Sequence, residues 1–349
     1  MRHLQTNFFL PDRWIANSTY GSSADNFSFP YYSKDGFTRG TDAGIRAGWE
    51  ITMPLKDSSP RPASSALTPT SGFLTGYTHT LNPYTGCAFK CEYCYVREMT
   101  VHRFHKPKLP WGAYAHPRLG INRSLEREMI RHASTGRLAG LAVFMSSVTD
   151  PYQALERQYR LSHSCLEVMT RHTPGLLTVQ TRSPYVADDF ELMTAMGECC
   201  WLNFTLETDR DDVRRAVTPY APSIHARLAT LRAARLAGVN VQITVSPCLP
   251  YSSLENFGGI LLEHADRVIV DSYTAGDGLR GSRTAATAIP DIYSQLGWGP
   301  WQSTQEARAL YQWLEARLGD RVSWSQQGFR MQALLVTGFK ETALEGGNC

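Results

Sequence analysis

No stretch of the 349-residue sequence approaches the ~18 consecutive apolar residues that a membrane-crossing helix needs, which excludes an integral membrane protein and a membrane partner. The opening MRHLQTNFFLPDRW has neither a basic flank leading into a long apolar run nor a small-residue cleavage site, so a cytoplasmic protein is expected. Charge of one sign is also missing. Against 35 Lys and Arg stand 32 Asp and Glu, and a net +3 supplies no field to steer the whole molecule onto a polyanion. Nucleic acid is thus neither demanded nor ruled out. Without export signals, eight cysteines point to metal ligands, reactive thiols or buried small hydrophobes rather than a disulfide framework. Cys87, Cys91 and Cys94 crowd together, whereas Cys165, Cys199, Cys200, Cys248 and Cys349 are scattered.

Residues 1–75 are rich in Ser, Thr, Gly, Pro and aromatics, and SSPRPASSALTPTSG fits no helical or strand period. They read as an irregular N-terminal extension, which the aromatics of FSFPYY would wrap onto the body, since disordered tails usually lack them. From there short apolar runs recur at 77–82, 141–147, 176–181, 200–206, 239–247 and 267–272. Continuous apolarity means burial on both faces, as in a parallel sheet. Helical periods separate the runs, starting at Arg123, Ala154, Asp188, Ser223 and Ser253. Ser223 and Gly238 bracket one of them as an N-cap and a C-terminal glycine should. Six units are fewer than the eight of a closed barrel, and the economical α/β fold over residues 76–275 is a parallel (β/α) barrel or a partial one. Residues 276–349 form a C-terminal extension with one amphipathic helix, TQEARALYQWLEARLG. In such folds functional groups gather where strands end, at the carboxyl edge.

The segment LNPYTGCAFKCEYCYVRE places three thiols in a C-x3-C-x2-C spacing directly after the first strand. A 4Fe-4S cluster takes four ligands, so three thiolates leave one iron open to a substrate or cofactor. Zinc is the competing occupant, with His102 or His105 as the fourth ligand of a Cys3His site, in which case the chain would be a non-enzymatic zinc-binding module. A core of buried thiols is at odds with the flanking Lys90, Glu92 and Arg97.

With Tyr93 just before the third cysteine, this segment resembles the signature of the radical S-adenosylmethionine (SAM) superfamily. LNPYTGC, VTDPYQALE after the second strand, and APSIHARLATLRAARLAGVNV over Ala221 to Val241 are similar to its spore photoproduct lyase-like branch. The resemblance implies a partial (β/α)6 parallel barrel of radical SAM type, with Cys87, Cys91 and Cys94 holding a 4Fe-4S cluster. It further implies that the amino and carboxylate groups of SAM chelate the open iron. One electron then cleaves the sulfonium, usually giving a 5′-deoxyadenosyl radical that abstracts hydrogen. A reductant such as flavodoxin or ferredoxin is implied, with a small metabolite as the expected substrate of a lyase or transferase reaction. Because the cofactor carries the hard chemistry, the protein must bind, orient and shield.

The same resemblance implies a set of cofactor-binding residues beside Tyr93. Arg182, closing the third strand, would pair with the SAM carboxylate; its alternative is a surface salt bridge to Asp188 or Asp189. Ser146, Ser147 and Asp150 fall where the SAM amino group is contacted, Asp150 being equally a loop cap. Asn203 and Thr205 would face the ribose, since buried polar groups on a parallel strand need partners. The hydrogen-donating cysteine of the lyase aligns with Ser147, whose O–H bond is too strong to return hydrogen to a carbon radical, and this argues against lesion repair. Cys248, directly after the fifth strand, is the best-placed substitute thiol, or else a buried small hydrophobe.

Two other functions remain open. Between Arg97 and Arg137 nine basic residues face three acidic ones, interleaved with Phe104, Trp111 and Tyr114, as in nucleic-acid lesion or modification enzymes that stack bases. Arg123, Arg127 and Arg131, however, recur at i,i+4 as on a solvated helix face. Alternatively, Cys199, Cys200, Cys248 and Cys349 could gather a thiophilic substrate such as trivalent arsenic for 3-amino-3-carboxypropyl transfer from SAM. Adjacent strand residues point to opposite faces, which works against the vicinal pair.

Overall fold

Apolar runs that alternate with amphipathic helices fold as parallel strands, because each crossover helix covers one strand face and buries it. In the computed structural model, which describes residues 55–70, 72–276 and 279–330, the barrel strands are β1 (His79–Leu81), β2 (Ala142–Met145), β3 (Leu176–Thr181), β4 (Cys200–Thr205), β5 (Asn240–Val245) and β6 (Arg267–Val270). Each pairs in parallel with the next in chain order. The intervening helices are α1 (Ile121–Ser134), α2 (Leu161–Arg171), α3 (Phe190–Ala195), α4 (Ile224–Leu236) and α5 (Leu254–His264). The partial barrel expected from the sequence is thus present. Ser223 caps α4 by accepting the Ala226 N–H at 3.2 Å, and Gly238 leaves the helix at φ +77°, the left-handed conformation that favours glycine.

The chain beyond residue 275 does more than add a helix. After α6 (Gln305–Leu318), β7 (Val322–Trp324) joins the sheet in parallel with β6. At the opposite edge Leu67–Pro69 pairs antiparallel with β1, while Arg61–Pro62 pairs with Ala115–Leu119 in a separate small sheet. Part of the stretch read as irregular is therefore strand; two or three residues are too few to display a period. Gln326 donates through Nε2 to the carbonyls of Gly72 (3.2 Å) and Phe73 (3.0 Å), and Phe329 packs edge-on against Phe73, so side chains join the two margins of the sheet. FSFPYY and Cys349 lie outside the described residues.

The helical run from Ala154 is broken. Arg160 takes φ +46° between Glu156–Tyr159 and α2, and the Glu156 carboxylate accepts the N–H groups of Leu161 (3.1 Å) and His163 (3.0 Å), capping α2 from the preceding turn. Along β3 to β5, alternate residues serve two layers. Leu177, Val179, Leu202, Phe204, Val241 and Ile243 bury themselves in the large core. Thr178, Gln180, Asn203, Thr205, Gln242 and Thr244 occupy the other face. On that face Tyr77, Phe144, Ile269 and Phe329 form a separate apolar plug. No helix among the described residues is long and apolar enough to cross a membrane.

Candidate active site

The cysteine loop follows β1 and is clamped at both ends. Tyr84–Gly86 pairs antiparallel with Ala115–Leu119, and Gly86 sits at φ +87°, where a Cβ would meet the Tyr114 carbonyl oxygen at 2.5 Å. The loop is then tied to the segment after β2. Thr149 donates to the Gly86 carbonyl, and Gln153 accepts the Ala88 N–H at 3.0 Å. Tyr84 donates its hydroxyl to Glu156, and Asn82 accepts the Val148 N–H at 3.3 Å. LNPYTGC and VTDPYQALE are therefore two halves of one hydrogen-bonded unit, which is a physical reason for both to occur in one chain. On the far side of the loop, Glu92 N–H reaches the Val217 carbonyl (2.9 Å), and Arg97 bridges the Cys91 carbonyl and Glu92 carboxylate, both at 2.9 Å.

Cys87, Cys91 and Cys94 are all free thiols; the first two are buried and the third half-buried. Burial pushes all three up, Cys94 to about 12; on Cys87 the Asp150 carboxylate adds to the rise, and on Cys91 the Arg182 guanidinium opposes it. As thiols they are protonated near neutrality, so metal loading must displace their protons.

Three free thiols, one short of four ligands, are the donor set of an iron-sulfur cube with one open iron. Among the described residues no group of three His, Cys, Asp or Glu is arranged around a single metal. Thiolates on one zinc would stand about 3.8 Å apart, given Zn–S near 2.3 Å and tetrahedral angles. In the cube each thiolate takes its own iron, so the sulfurs spread farther. Each histidine has one ring nitrogen in a polar contact within the protein. His102 shares a hydrogen bond with the Tyr114 hydroxyl through Nδ1 at 3.0 Å, and buried His105 stacks on the Tyr114 ring at 3.6 Å, with its Nε2 3.4 Å from His116.

Next to the loop lies a buried ionic network. Arg182 donates through Nη1 to the Tyr93 hydroxyl (2.7 Å) and to Glu207, and Tyr93 itself donates to Glu207. The other Glu207 oxygen accepts from Arg227 on α4 at 2.5 Å. Burial alone would raise the Glu207 carboxyl, but Arg182 and Arg227 overcome it and hold the group down at about 2. Neither Asp188 nor Asp189 takes Arg182: Asp189 binds His163 at 2.6 Å and the Tyr152 hydroxyl at 2.8 Å. The Nε and Nη2 groups of Arg182 make no hydrogen bond among the described residues, and its side chain is 13% exposed, so one edge of the guanidinium fork is available to a ligand.

The remaining expected residues divide. Ser146 follows β2 at φ +75°, unusual for serine, with a buried hydroxyl that has no partner among the described residues. Ser147 offers its carbonyl to the Tyr95 hydroxyl at 3.0 Å. Asp150 behaves as the loop cap. One oxygen accepts from Tyr152 N–H (2.9 Å) and Thr181 hydroxyl (2.7 Å), the other from Arg182 N–H (3.1 Å), which holds the backbone that aims Arg182. Asn203 and Thr205 need no ribose for satisfaction. Asn203 bonds Gln180, Gln242 (3.0 Å) and Thr244, and Thr205 accepts from Gln180 at 2.5 Å. Gln180 and Gln242 lie in register with Asn203 on the neighbouring strands, and the bonds to Thr244 and from Gln180 to Thr205 run diagonally, pairings that a linear reading cannot see.

Among the described residues the scattered thiols do not gather into one site. Cys200 lies at the amino end of β4, buried in the large core, and Cys199 precedes it in a 3-10 turn. Cys248 follows the carboxyl end of β5 in that same core, with Tyr251 and Leu310, and burial pushes its thiol up. A strand of six residues spans about 20 Å, which separates the vicinal pair from Cys248. The Cys248 environment is that of a small hydrophobe, in a different apolar cluster from the cysteine loop. Glu207, Arg227, Gln153 and Glu156 were not anticipated. An acid two residues past an apolar strand, in FTLE, is a usable signal for Glu207; an arginine on an amphipathic helix reads as solvated, and Arg227 carries none.

A family model described as the radical SAM superfamily matches residues 81–262, just over half of the chain. An uncharacterised protein of Methanocaldococcus jannaschii is 23% identical over 189 residues, 54% of this chain and 66% of that protein. One of Acidianus two-tailed virus is 32% identical over 177 residues, 49% and 56% of the respective chains. The matched segment thus covers less than two thirds of these relatives' length. Among solved structures, spore photoproduct lyase complexed with dinucleoside spore photoproduct superposes with a TM-score of 0.54 at 13% identity, covering 77% of this chain and 81% of the lyase, a likeness of fold. With the family match and the barrel in agreement, the chain belongs to the radical SAM superfamily, whose enzymes use a 4Fe-4S cluster and S-adenosylmethionine.

Proposed function

We propose that Cys87, Cys91 and Cys94 hold the 4Fe-4S cluster, that Arg182 and Ser146 help to seat SAM on it, and that the enzyme acts on a small metabolite. The observation that carries this reading is the adjacency of three free thiols to an arginine with an unused donor edge. When bound, the cluster supplies the electron that cleaves the SAM sulfonium and so provides the hydrogen-abstracting radical. Everything else falls to the protein. Glu207 and Tyr93 hold one Arg182 nitrogen, leaving Nε and Nη2 to take a carboxylate as a bidentate pair. The unpartnered Ser146 hydroxyl can accept from an amino group. Thr149, Gln153 and Glu156 keep the loop rigid. Ser147 in place of a hydrogen-donating thiol supports a small substrate over a DNA lesion.

Reduced, cluster-loaded enzyme supplied with SAM is expected to release 5′-deoxyadenosine and methionine. Methylthioadenosine in their place would establish 3-amino-3-carboxypropyl transfer and overturn the reading. Arg182→Ala should weaken SAM binding by about tenfold or more, the value of one charge-assisted bidentate contact, without loss of iron. Equilibrium binding to the loaded protein checks this, and unchanged affinity would remove Arg182 from the SAM site.

A further inference from the structure

A cavity of about 490 Å³ opens between the Leu67–Pro69 edge strand, β1 and α1. Its chemistry is basic. Arg127 and Arg131, four residues apart on α1, line it together with His79 and His132. Both arginines are exposed, and neither has a carboxylate partner among the described residues; Arg127 reaches only the Ser124 hydroxyl, at 3.2 Å. The one carboxylate in the wall, Glu128, is turned to the backbone, accepting the N–H groups of Ala66 (2.9 Å) and Leu67 (2.8 Å). His79 presents a buried Nδ1 with no partner among the described residues, and its ring stands edge-on to that of His132 at 5.8 Å. The β1 register places His79 level with Val143 of β2, which faces the large core, so the cavity lies outside the barrel wall.

We propose that this cavity is a binding site for a phosphate monoester, distinct from the cysteine loop. Two guanidiniums one helical turn apart can bracket an anion with three terminal oxygens, whereas a carboxylate would occupy only one fork. The unpartnered imidazole nitrogen and the Ser124 hydroxyl complete the polar side, and Leu67 and Pro69 give an organic group an apolar wall. The volume falls within the roughly 300–1,000 Å³ of small-molecule sites. The same chemistry is offered by a free metabolite phosphate and by the 5′-phosphate end of an oligonucleotide.

Calorimetric titration of the full chain with inorganic phosphate, glycerol 3-phosphate, and a trinucleotide with and without a 5′-phosphate tests the assignment. Phosphate is expected to bind, and Arg127→Ala with Arg131→Ala, checked for folding by circular dichroism, to weaken it by about tenfold or more. His79→Phe should weaken it several-fold. Tighter binding of glycerol 3-phosphate identifies a small ester, and tighter binding of the trinucleotide only when it is 5′-phosphorylated identifies a nucleic-acid end. No binding up to about 10 mM phosphate, corresponding to less than about 3 kcal/mol, would overturn the proposal. So would affinity unchanged in the double variant, or equal binding of both trinucleotides.

Discussion

Cys91→Ala yields a folded barrel that no longer cleaves SAM. The cysteine loop belongs to its own apolar cluster with Phe89, Tyr93 and Trp111, apart from the large core that the helices and outward strand residues build. Removing one sulfur there should cost about 1 kcal/mol, typical of a small buried truncation, while depriving one iron of its ligand. Far-ultraviolet circular dichroism should match the parent, iron retention should fall, and 5′-deoxyadenosine should be undetectable. Cys165→Ala is the control: that thiol is wholly buried in the large core on α2, so its loss lowers stability but leaves cleavage intact. Retained cleavage by the Cys91 variant would refute the ligand assignment.

The largest stability effect is expected at Glu207. Arg227 is fully buried, its Nη2 is already without a partner, and the Glu207 carboxylate is its only charge partner among the described residues. Glu207→Ala therefore strands one buried cation and frees a second, Arg182, from its anchor. Breaking a buried pair in this way costs about 3–5 kcal/mol, readable as a lower urea midpoint. Adding Arg227→Met to Glu207→Ala should restore part of the loss, because the uncompensated charge disappears along with its partner. A Glu207→Ala midpoint equal to the parent's would mean that the two arginines do not depend on it. The loss would also reach the site, since Arg182 is held beside Tyr93 through this carboxylate.

The barrel could be read from the sequence because its information is local. LLTVQT and CWLNFT carry burial in a few consecutive residues, and α4 advertises both ends with Ser223 and Gly238. The cysteine trio was legible for the same reason, its spacing lying within one loop. What escaped was set by pairing across distance. Asn203 looked like a ligand contact, but Gln180, Gln242 and Thr244 satisfy it from the strands on either side. The partner of Arg182 is equally distant in sequence: Glu207 lies 25 residues further along the chain, and Arg227, which shares that carboxylate, 20 residues beyond Glu207. Asp150 turned out to hold the Arg182 backbone. The short edge strands at Arg61–Pro62 and Leu67–Pro69 show no period because they borrow their geometry from partners.

On the proposed reading, three thiols of one loop carry a cluster with a vacant corner. Anaerobically reconstituted protein should contain about four irons and four acid-labile sulfides per chain, and after reduction its paramagnetic resonance signal should change when SAM is added. One zinc with no sulfide, or a cluster whose signal ignores SAM, would contradict the account.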